Sequence, residues 1–417
     1  MEARAAVARL REELRDGVIV AEHAPVEIEG AKVALTLTPR DGAALAGALA
    51  LLSELGLSVL PRGGGAHQGF GNPPARAFAI LSTAALGGVL ELDAGEGVCR
   101  AGAGTPLAAL RAAVNAEGWE LPLDAPGAGA TLGGVLACAA QGPRAQGYGR
   151  PRDAVLGLEL ALASGERTRC GGRVVKNVTG YDLGKLYVGS LGSLGVIEAA
   201  WLRLRPRPEA VACLAAELPG AGAAAAAALA PARRASVRAA LLELSAAGGP
   251  GRLVVELAGA EPSVARDRAW LAAELGAREA GPEALDSLRR PAPAPPGYTP
   301  LRLRLGARAS RLGQAADLLL AAGAVVRAQP GGGLLEASFA LPEDADAGAL
   351  EEAFGAAARA AALSGGAAAI EAAPLSVKAG REAFGALEPR VLALARALKA
   401  QFDPRGVLNP GRFAGGL

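Results

Sequence analysis

Histidine is the scarcest chemistry in this chain, with only His23 and His67 among 417 residues. Imidazole is the side chain that changes charge nearest neutral pH and a common neutral metal ligand, so no such base or ligand is on hand beyond position 67. Cysteine is equally thin. Cys99, Cys138, Cys170 and Cys213 are widely spaced with no C-x-x-C, which excludes a zinc site or iron–sulfur cluster of local spacing and leaves them as buried reduced thiols. Aromatic residues are 3% of the chain, so its helices are expected to pack through small, Ala-rich faces. Long hydrophobic runs are missing too. The Ala-rich stretch Ala221 to Ala230 is too short and too weakly apolar to span a bilayer, and no membrane span is expected. Met1 to Arg15 alternates Arg and Glu with Ala and Leu at helical spacing and lacks an apolar signal core, so it reads as a surface helix of a cytoplasmic protein. Neither sign of charge dominates: 43 basic and 41 acidic side chains leave +2, with no basic stripe interleaved with aromatics, which disfavours nucleic acid as a partner.

What the chain has in abundance is glycine, and its placement organises the sequence. The length favours two domains. From about Lys32 to Pro208, short strands alternate with Gly turns and helices in an α+β pattern. Val33 to Leu37 reads as a strand, Ala43 to Leu55 as a helix, and Leu57 to Leu60 as a strand running into Arg62-Gly63-Gly64-Gly65. Leu90 to Asp93 and Val98 to Ala101 read as a strand pair, followed by a helix from Pro106 to Glu117 with Thr105 as N-cap. From Glu209 to Pro374 the texture changes to a small antiparallel sheet with helices on one face. Leu253 to Leu257 and Leu301 to Leu305 are strands, each followed by a helix, Ser263 to Leu275 and Ser310 to Ala322. Val325 to Ala328 and Leu334 to Ala340 form a hairpin, Ala347 to Leu363 a helix, and Pro291 to Pro300 an irregular loop. A helix from Arg381 ends at Phe402, before Asp403 to Pro410. The expected domains are 1–208, 209–374 as a cap, and 375–417 returning to the first.

Three glycine-rich stretches carry the chemistry. Glycines after a strand let backbone N–H groups converge on an anion, because no Cβ blocks the approach. Arg62-Gly63-Gly64-Gly65-Ala66-His67 is therefore a candidate pyrophosphate cradle, although any one such turn is more often only a turn. It does not open a helix as G-x-G-x-x-G, which disfavours a Rossmann site. Pro126 to Gly134 leads through Thr131, Gly133 and Gly134 into a small-residue helix reaching Gln141, and Gly189 to Ile197 offers small residues against an apolar strand where a flat ring could lie.

Together these stretches resemble the FAD-binding domain of the vanillyl-alcohol-oxidase type, and more closely the FAD-binding (E) subunits of bacterial glycolate oxidase. The resemblance covers roughly residues 30–208 and returns in the last 40. It is carried by Leu60 to Gly65, Ala130 to Gly134, Val135 to Cys138, Gly142-Pro143-Arg144 through Asp153, Val175 to Leu183 with Lys176 and Asp182, Gly189 to Ile197, and the tail Asp403 to Arg412. It implies that the Arg62 to His67 backbone holds the pyrophosphate and that Thr131, Gly133 and Gly134 border flavin and ribitol. It further implies that Val196 and Ile197, after Gly195, meet the adenine half, and that Asn409 and Arg412 approach the flavin. Pro126, Gly142, Tyr148 and Asp153 belong to the same implied cofactor set. The structural alternatives are a helix cap for Thr131, a turn former for Asp182 and a surface charge for Lys176.

The resemblance also implies a non-covalent FAD. Covalent members carry His directly after the paired glycines, where this chain has Ala66; His67 is one residue late, and in an extended loop it should face away. A second attachment Cys would fall near Gly142 to Tyr148, where there is none, while Cys138 lies inside the expected helix. Catalytic paralogues in the family carry a late H-x-G-D-G-N-like motif that this chain lacks. No catalytic residue or metal ligand is assigned. Three readings stay open: a flavin subunit relaying electrons from a catalytic FAD paralogue to an iron–sulfur subunit, a free-standing FAD oxidoreductase of an unknown alcohol or hydroxy acid, and a scaffold that binds FAD for stability alone. Any membrane association would then be peripheral, through the complex.

Overall fold

A computed structural model describes residues 3–173, 182–289, 295–342 and 347–417. The chain divides into two compact units, one of Met1–Gln141, Arg150–Pro206 and Leu387–Leu417, the other of Gly142–Gly149 and Arg207–Ala386.

The first unit contains two larger sheets and the short pair Trp119–Glu120 with Arg205–Pro206. In the four-stranded sheet the hairpin Val18–Ile28 and Ala31–Pro39 is extended in parallel by Ala79–Ser82 and then Val59–Arg62. The helix Gly42–Leu55 covers it, with Asp41 accepting the Ala44 N–H at its start and Gly56, at φ +66°, ending it. Leu45, Leu49 and Leu52 recur at helical spacing and are fully buried against Leu37, Val59 and Leu81. The second sheet is five-stranded and antiparallel, in the order Val89–Asp93, Val98–Gly102, Val196–Arg203, Val155–Ala161, Arg167–Gly171. The last stretch of chain bonds alongside Val59–Arg62: Val59 N–H donates to Val407 and the Asn409 N–H to Val59.

The second unit is built on an eight-stranded antiparallel sheet, ordered Arg278–Glu279, Ala210–Leu218, Gly251–Gly259, Val237–Leu244, Val325–Gln329, Leu334–Pro342, Tyr298–Gly306, Ala368–Ala372. Helices Ala221–Ala227, Glu261–Leu275, Leu312–Ala321 and Ala347–Ala362 line one face. Small residues set their spacing. A Cβ on Gly313 would come within 3.0 Å of the Gly222 carbonyl oxygen, so two of these helices cross almost backbone to backbone.

Several local expectations are corrected. Helices lie on both faces of this sheet, because Glu283–Arg289 packs Ala284, Leu285 and Leu288 on the side of Cys213, Ala239, Leu241 and Val254. Thr105 does not cap the next helix. Its hydroxyl instead accepts the Gly88 N–H and donates to Gly102, and Pro106 is the N-cap without a side-chain bond. The helix expected to reach Gln141 ends at Cys138, where Ala139 turns left-handed at φ +46°. The last helix begins at Pro389, capped by Glu388, rather than at Arg381. Tyr298 to Pro300 is strand, not loop; Ala368–Ala372 pairs with it only from Arg302 onward, so Pro300 has an open edge where a missing N–H costs nothing. Residues 291–294 of that segment lie outside the described residues, as does Val174 to Tyr181 with Lys176. His23 sits in a strand and its Nε2 meets the Thr36 hydroxyl.

Candidate functional site

The site begins where Val59–Arg62 runs out. The chain must pass under a neighbouring loop there, and only glycine fits: a Cβ on Gly63 would lie 2.0 Å from Thr131 Oγ1, and one on Gly64 would lie 1.7 Å from the Gly129 carbonyl oxygen. Gly65 then turns left-handed at φ +78° and begins a turn closed by the Gln68 N–H donating to Gly65. The second glycine stretch docks on the first, since the Gly64 N–H donates to Thr131 Oγ1 at 3.3 Å. Thr131 precedes the helix Leu132–Cys138 but makes no capping bond, its hydroxyl being turned to the loop.

The third stretch bends on itself. Leu191, a non-glycine at φ +55°, and Gly192 at φ +68° turn the chain, while buried Ser190 and Ser193 donate to the carbonyls of Tyr187 and Ser190. The returning C-terminal segment meets it. Asn409, also left-handed at φ +46°, donates from Nδ2 to the Leu191 carbonyl, and Arg412 donates from Nη2 to the carbonyls of Gln68 and Phe70 at 2.6 and 2.7 Å. Two bonded non-glycine residues in a costly conformation mark a place where the surrounding structure dictates the backbone.

These four segments line one open cleft. Arg62, His67 and Arg412 line it, and among the described residues no Asp or Glu does. Asn409 Oδ1 and Arg412 Nη1 are buried and have no hydrogen-bond partner among the described residues. Burial pulls the Arg412 guanidinium below its ordinary value, though a guanidinium keeps its charge at neutral pH. A buried cation with a free donor and an amide with a free acceptor are costly alone, and both are satisfied by an anionic ligand rich in hydrogen-bonding groups. A dinucleotide pyrophosphate laid on glycine backbone has that chemistry.

Of the residues expected at a cofactor, Arg62, Gly63, Gly64, Gly65, Ala66, His67, Thr131, Gly133, Gly134, Gly195, Val196, Ile197, Asn409 and Arg412 all line this cleft. Pro126 is exposed outside it. Gly142 and Tyr148 belong to the second unit, where the Tyr148 ring lies 5.8 Å from the Arg238 guanidinium. Asp153 caps a short helix by accepting the Arg150 N–H, and Asp182 pairs with Lys185 at the surface. The lining also includes Gln68, Thr83, Ala137, Cys138 and Ser190 to Gly192. Ser190 to Gly192 stand inside a motif already singled out; Thr83 has no sequence signal, since only the parallel pairing beside Val59–Arg62 brings its N–H onto the Arg62 carbonyl. The loop after Arg62 is a turn rather than an extended strand, so Ala66 and His67 both line the cleft, and Cys138 at the helix end joins them.

Comparison with known proteins agrees with this chemistry. The family model described as FAD binding domain matches residues 33–171; this segment is an FAD binding domain, and FAD is its cofactor. The chain is 43% identical to the glycolate oxidase subunit GlcE of Escherichia coli over 133 residues, which cover 31% of this chain and 38% of that protein. It is 39% identical to the mitochondrial D-2-hydroxyglutarate dehydrogenase of Bos taurus over 176 residues, 42% of this chain and 32% of the relative. With the D-lactate dehydrogenase of Archaeoglobus fulgidus the identity is 36% over 185 residues, 44% and 42% of the two chains. The matches span less than half the length of each of these relatives. A solved structure of alkyldihydroxyacetonephosphate synthase superposes with a TM-score of 0.70 at 14% identity, covering 98% of this chain and 84% of that one, which shows that the two share an α+β fold.

Proposed function

We propose that this protein is the FAD-carrying subunit of a multi-subunit 2-hydroxy-acid oxidase or dehydrogenase of the glycolate type, passing electrons from a catalytic flavin subunit toward an iron–sulfur subunit. The observation that carries the reading is the cleft: a glycine-backed cationic cradle with two unpartnered buried polar atoms, in a chain with no histidine after His67. The similarity to GlcE and to two D-2-hydroxy-acid dehydrogenases supports the substrate class. Bound FAD supplies a two-electron acceptor that can also hand electrons on one at a time. The chain's own residues do the holding. Amides of Gly63 and Gly65 and the guanidinium of Arg62 would hold the pyrophosphate, Arg412 would approach the flavin, and Asn409 Oδ1 would accept from the ligand while its Nδ2 keeps the Leu191 loop in place. Thr131 fixes the first glycine loop by accepting the Gly64 N–H. In this reading residues 209–374 serve as the cap domain and the cytoplasm is the site of action.

The test is an assay with glycolate and D-lactate and an artificial electron acceptor. The chain alone should turn over at no more than a few per cent of the rate seen after adding a catalytic flavin subunit, because the cleft offers no second imidazole beside His67. High turnover by the isolated chain would overturn the relay reading in favour of a free-standing oxidoreductase. The FAD is held without a covalent bond. Acid precipitation should release all the yellow colour, and flavin fluorescence on the denatured gel band would point to His67 or Cys138 as its attachment.

A further inference from the structure

The C-terminal wall of the cleft depends on one ammonium group that never reaches it. Lys399, on the helix Pro389–Phe402, is largely buried and donates three hydrogen bonds from Nζ: to Asp403 Oδ2 at 2.6 Å, to the Ser193 carbonyl at 2.8 Å and to the Leu408 carbonyl at 2.8 Å. Its three donors are thereby used up. Asp403, 2% exposed, spends its remaining capacity on the N–H groups of Val407 and Leu408 at 2.8 Å each. Ser193 follows directly on Leu191 and Gly192, and Leu408 directly precedes Asn409. The ammonium therefore clamps both strands of chain whose next residues face the ligand. It does so beside the two left-handed residues, Leu191 and Asn409, that the chain adopts only under constraint.

We propose that Lys399, with Asp403 beneath it, is the positioning residue of the FAD site: it sets the separation of the Ser190–Gly192 loop from the Asn409–Arg412 segment and so aims Asn409 Oδ1 and Arg412 Nη1 at the cofactor. The proposal rests on the cleft being the FAD site. Lys399 is a positioning residue and not a catalytic one, since it does not line the cleft.

The test uses the full-length chain stripped of flavin and titrated with FAD, with binding read by quenching of flavin fluorescence and by the shape and position of the bound visible band. Lys399→Met keeps the length of the side chain and removes all three donors; Lys399→Met combined with Asp403→Asn also removes the carboxylate charge left behind, so that a folded protein is available if the single variant collapses. Lys399→Arg keeps a buried cation with donors. Leu10→Ala, in the core of the same unit, serves as the control for general loss of stability. Both Met variants should bind FAD at least tenfold more weakly with a shifted visible band, Lys399→Arg should recover much of the affinity, and Leu10→Ala should lower the melting temperature with FAD affinity within twofold of the parent. Unchanged affinity and spectrum in the Met variants would overturn the proposal. So would an equal loss of affinity in Leu10→Ala, which would reduce Lys399 to a structural residue. A parent chain that binds no FAD would instead sink the cofactor reading itself.

Discussion

The two units solve opposite problems with the same small residues. In the second unit glycine and alanine bring regular helices close, as at Gly222 and Gly313, and the result is repetitive: an antiparallel sheet, Leu and Val pointing inward, and ion pairs such as Arg144–Glu256 and Arg234–Asp267. In the first unit glycines are used where the backbone leaves regular structure, and around the cleft the rules of a well-satisfied interior are broken at several points at once. Leu191 and Asn409 are left-handed, and Asn409 Oδ1 and Arg412 Nη1 lack partners. Buried atoms without a hydrogen bond occur in the second unit too, at Gln146 Oε1 and Glu371 Oε2, but at Asn409 and Arg412 two of them line one cleft beside two left-handed non-glycine residues, and that convergence is what marks the place for a ligand.

The most severe way to break this contrast is Gly64→Val. Its Cβ would overlap the Gly129 carbonyl oxygen, a backbone atom that cannot swing away, so the first two glycine loops must separate. Flavin content after purification, from the ratio of visible to ultraviolet absorbance, should fall by at least a hundredfold while the second unit's melting is unaltered. Retained flavin would show that these loops do not form the cradle.

The mirror experiment is Glu256→Gln in the second unit. Glu256 is buried and accepts both Nε and Nη2 of Arg144 at 2.8 and 2.7 Å and Nε of Arg238 at 2.6 Å. Burial alone would push its carboxyl up, but the two guanidinia outweigh burial and hold it below the usual carboxylate range. Breaking such a buried cluster from one side costs about 3–5 kcal/mol. The melting temperature should drop by roughly 10 °C at that cost, with FAD affinity retained. The sign of the pH dependence follows from the lowered value. The carboxylate's contribution is present above its unfolded value near 4.5 and is lost as pH falls through the lower folded value. The acid limb of the stability curve should therefore be steeper in the parent than in the variant, and identical acid limbs would remove Glu256 as its cause.

How far the sequence foretold this contrast depends on what kind of signal each element carries. The strand-to-glycine junction at Arg62, the hairpin Val325–Gln329 with Leu334–Pro342, and most of the cleft were legible because turn chemistry and periodicity are local. The strands Ala210–Leu218, Val237–Leu244 and Ala368–Ala372 were not, because Ala-rich sequences such as Ala210 to Leu218 alternate too weakly to separate strand from helix. Thr83 and Gln68 escaped because their place in the lining is set by tertiary packing. Gly142, Tyr148 and Asp153 lie in a stretch with strong family resemblance, yet the structure uses their neighbour Arg144 to pair with Glu256 and uses Asp153 as a cap.

A finer probe of the cleft is Arg412→Lys. Lysine keeps the positive charge and can reach one backbone carbonyl, but it cannot hold the carbonyls of Gln68 and Phe70 from one nitrogen while aiming a second nitrogen into the cleft. FAD affinity should weaken about tenfold, equivalent to about 1.4 kcal/mol, in the same fluorescence titration. An unchanged dissociation constant would show that charge alone, and not the fork, is what the ligand meets.

The smallest effect is expected at Glu336, on the strand Leu334–Pro342 of the second unit. Across the sheet its register partners are Arg327 on one side and Arg304 on the other. Both are engaged elsewhere: Arg327 Nε with Glu243 at 2.9 Å and Arg304 Nε with Glu371 at 3.3 Å. Burial first, and then the nearby Glu371 carboxylate, push the Glu336 carboxyl above its usual range, against the opposing pull of Arg327, Arg302 and Arg304. The folded chain thus holds this proton more tightly than the unfolded chain does. That contribution is complete below the unfolded value and is lost as pH rises through the raised folded one, the reverse of Glu256. Glu336→Gln keeps the shape and cannot ionise, so it should match the parent in mildly acidic buffer and exceed it at higher pH, by about 1 kcal/mol or roughly 2–4 °C in Tm. Melting curves of the two proteins that stay parallel across the whole pH range would mean that the arginines do compensate Glu336 in the fold, and that its carboxyl is as settled as the rest of the sheet.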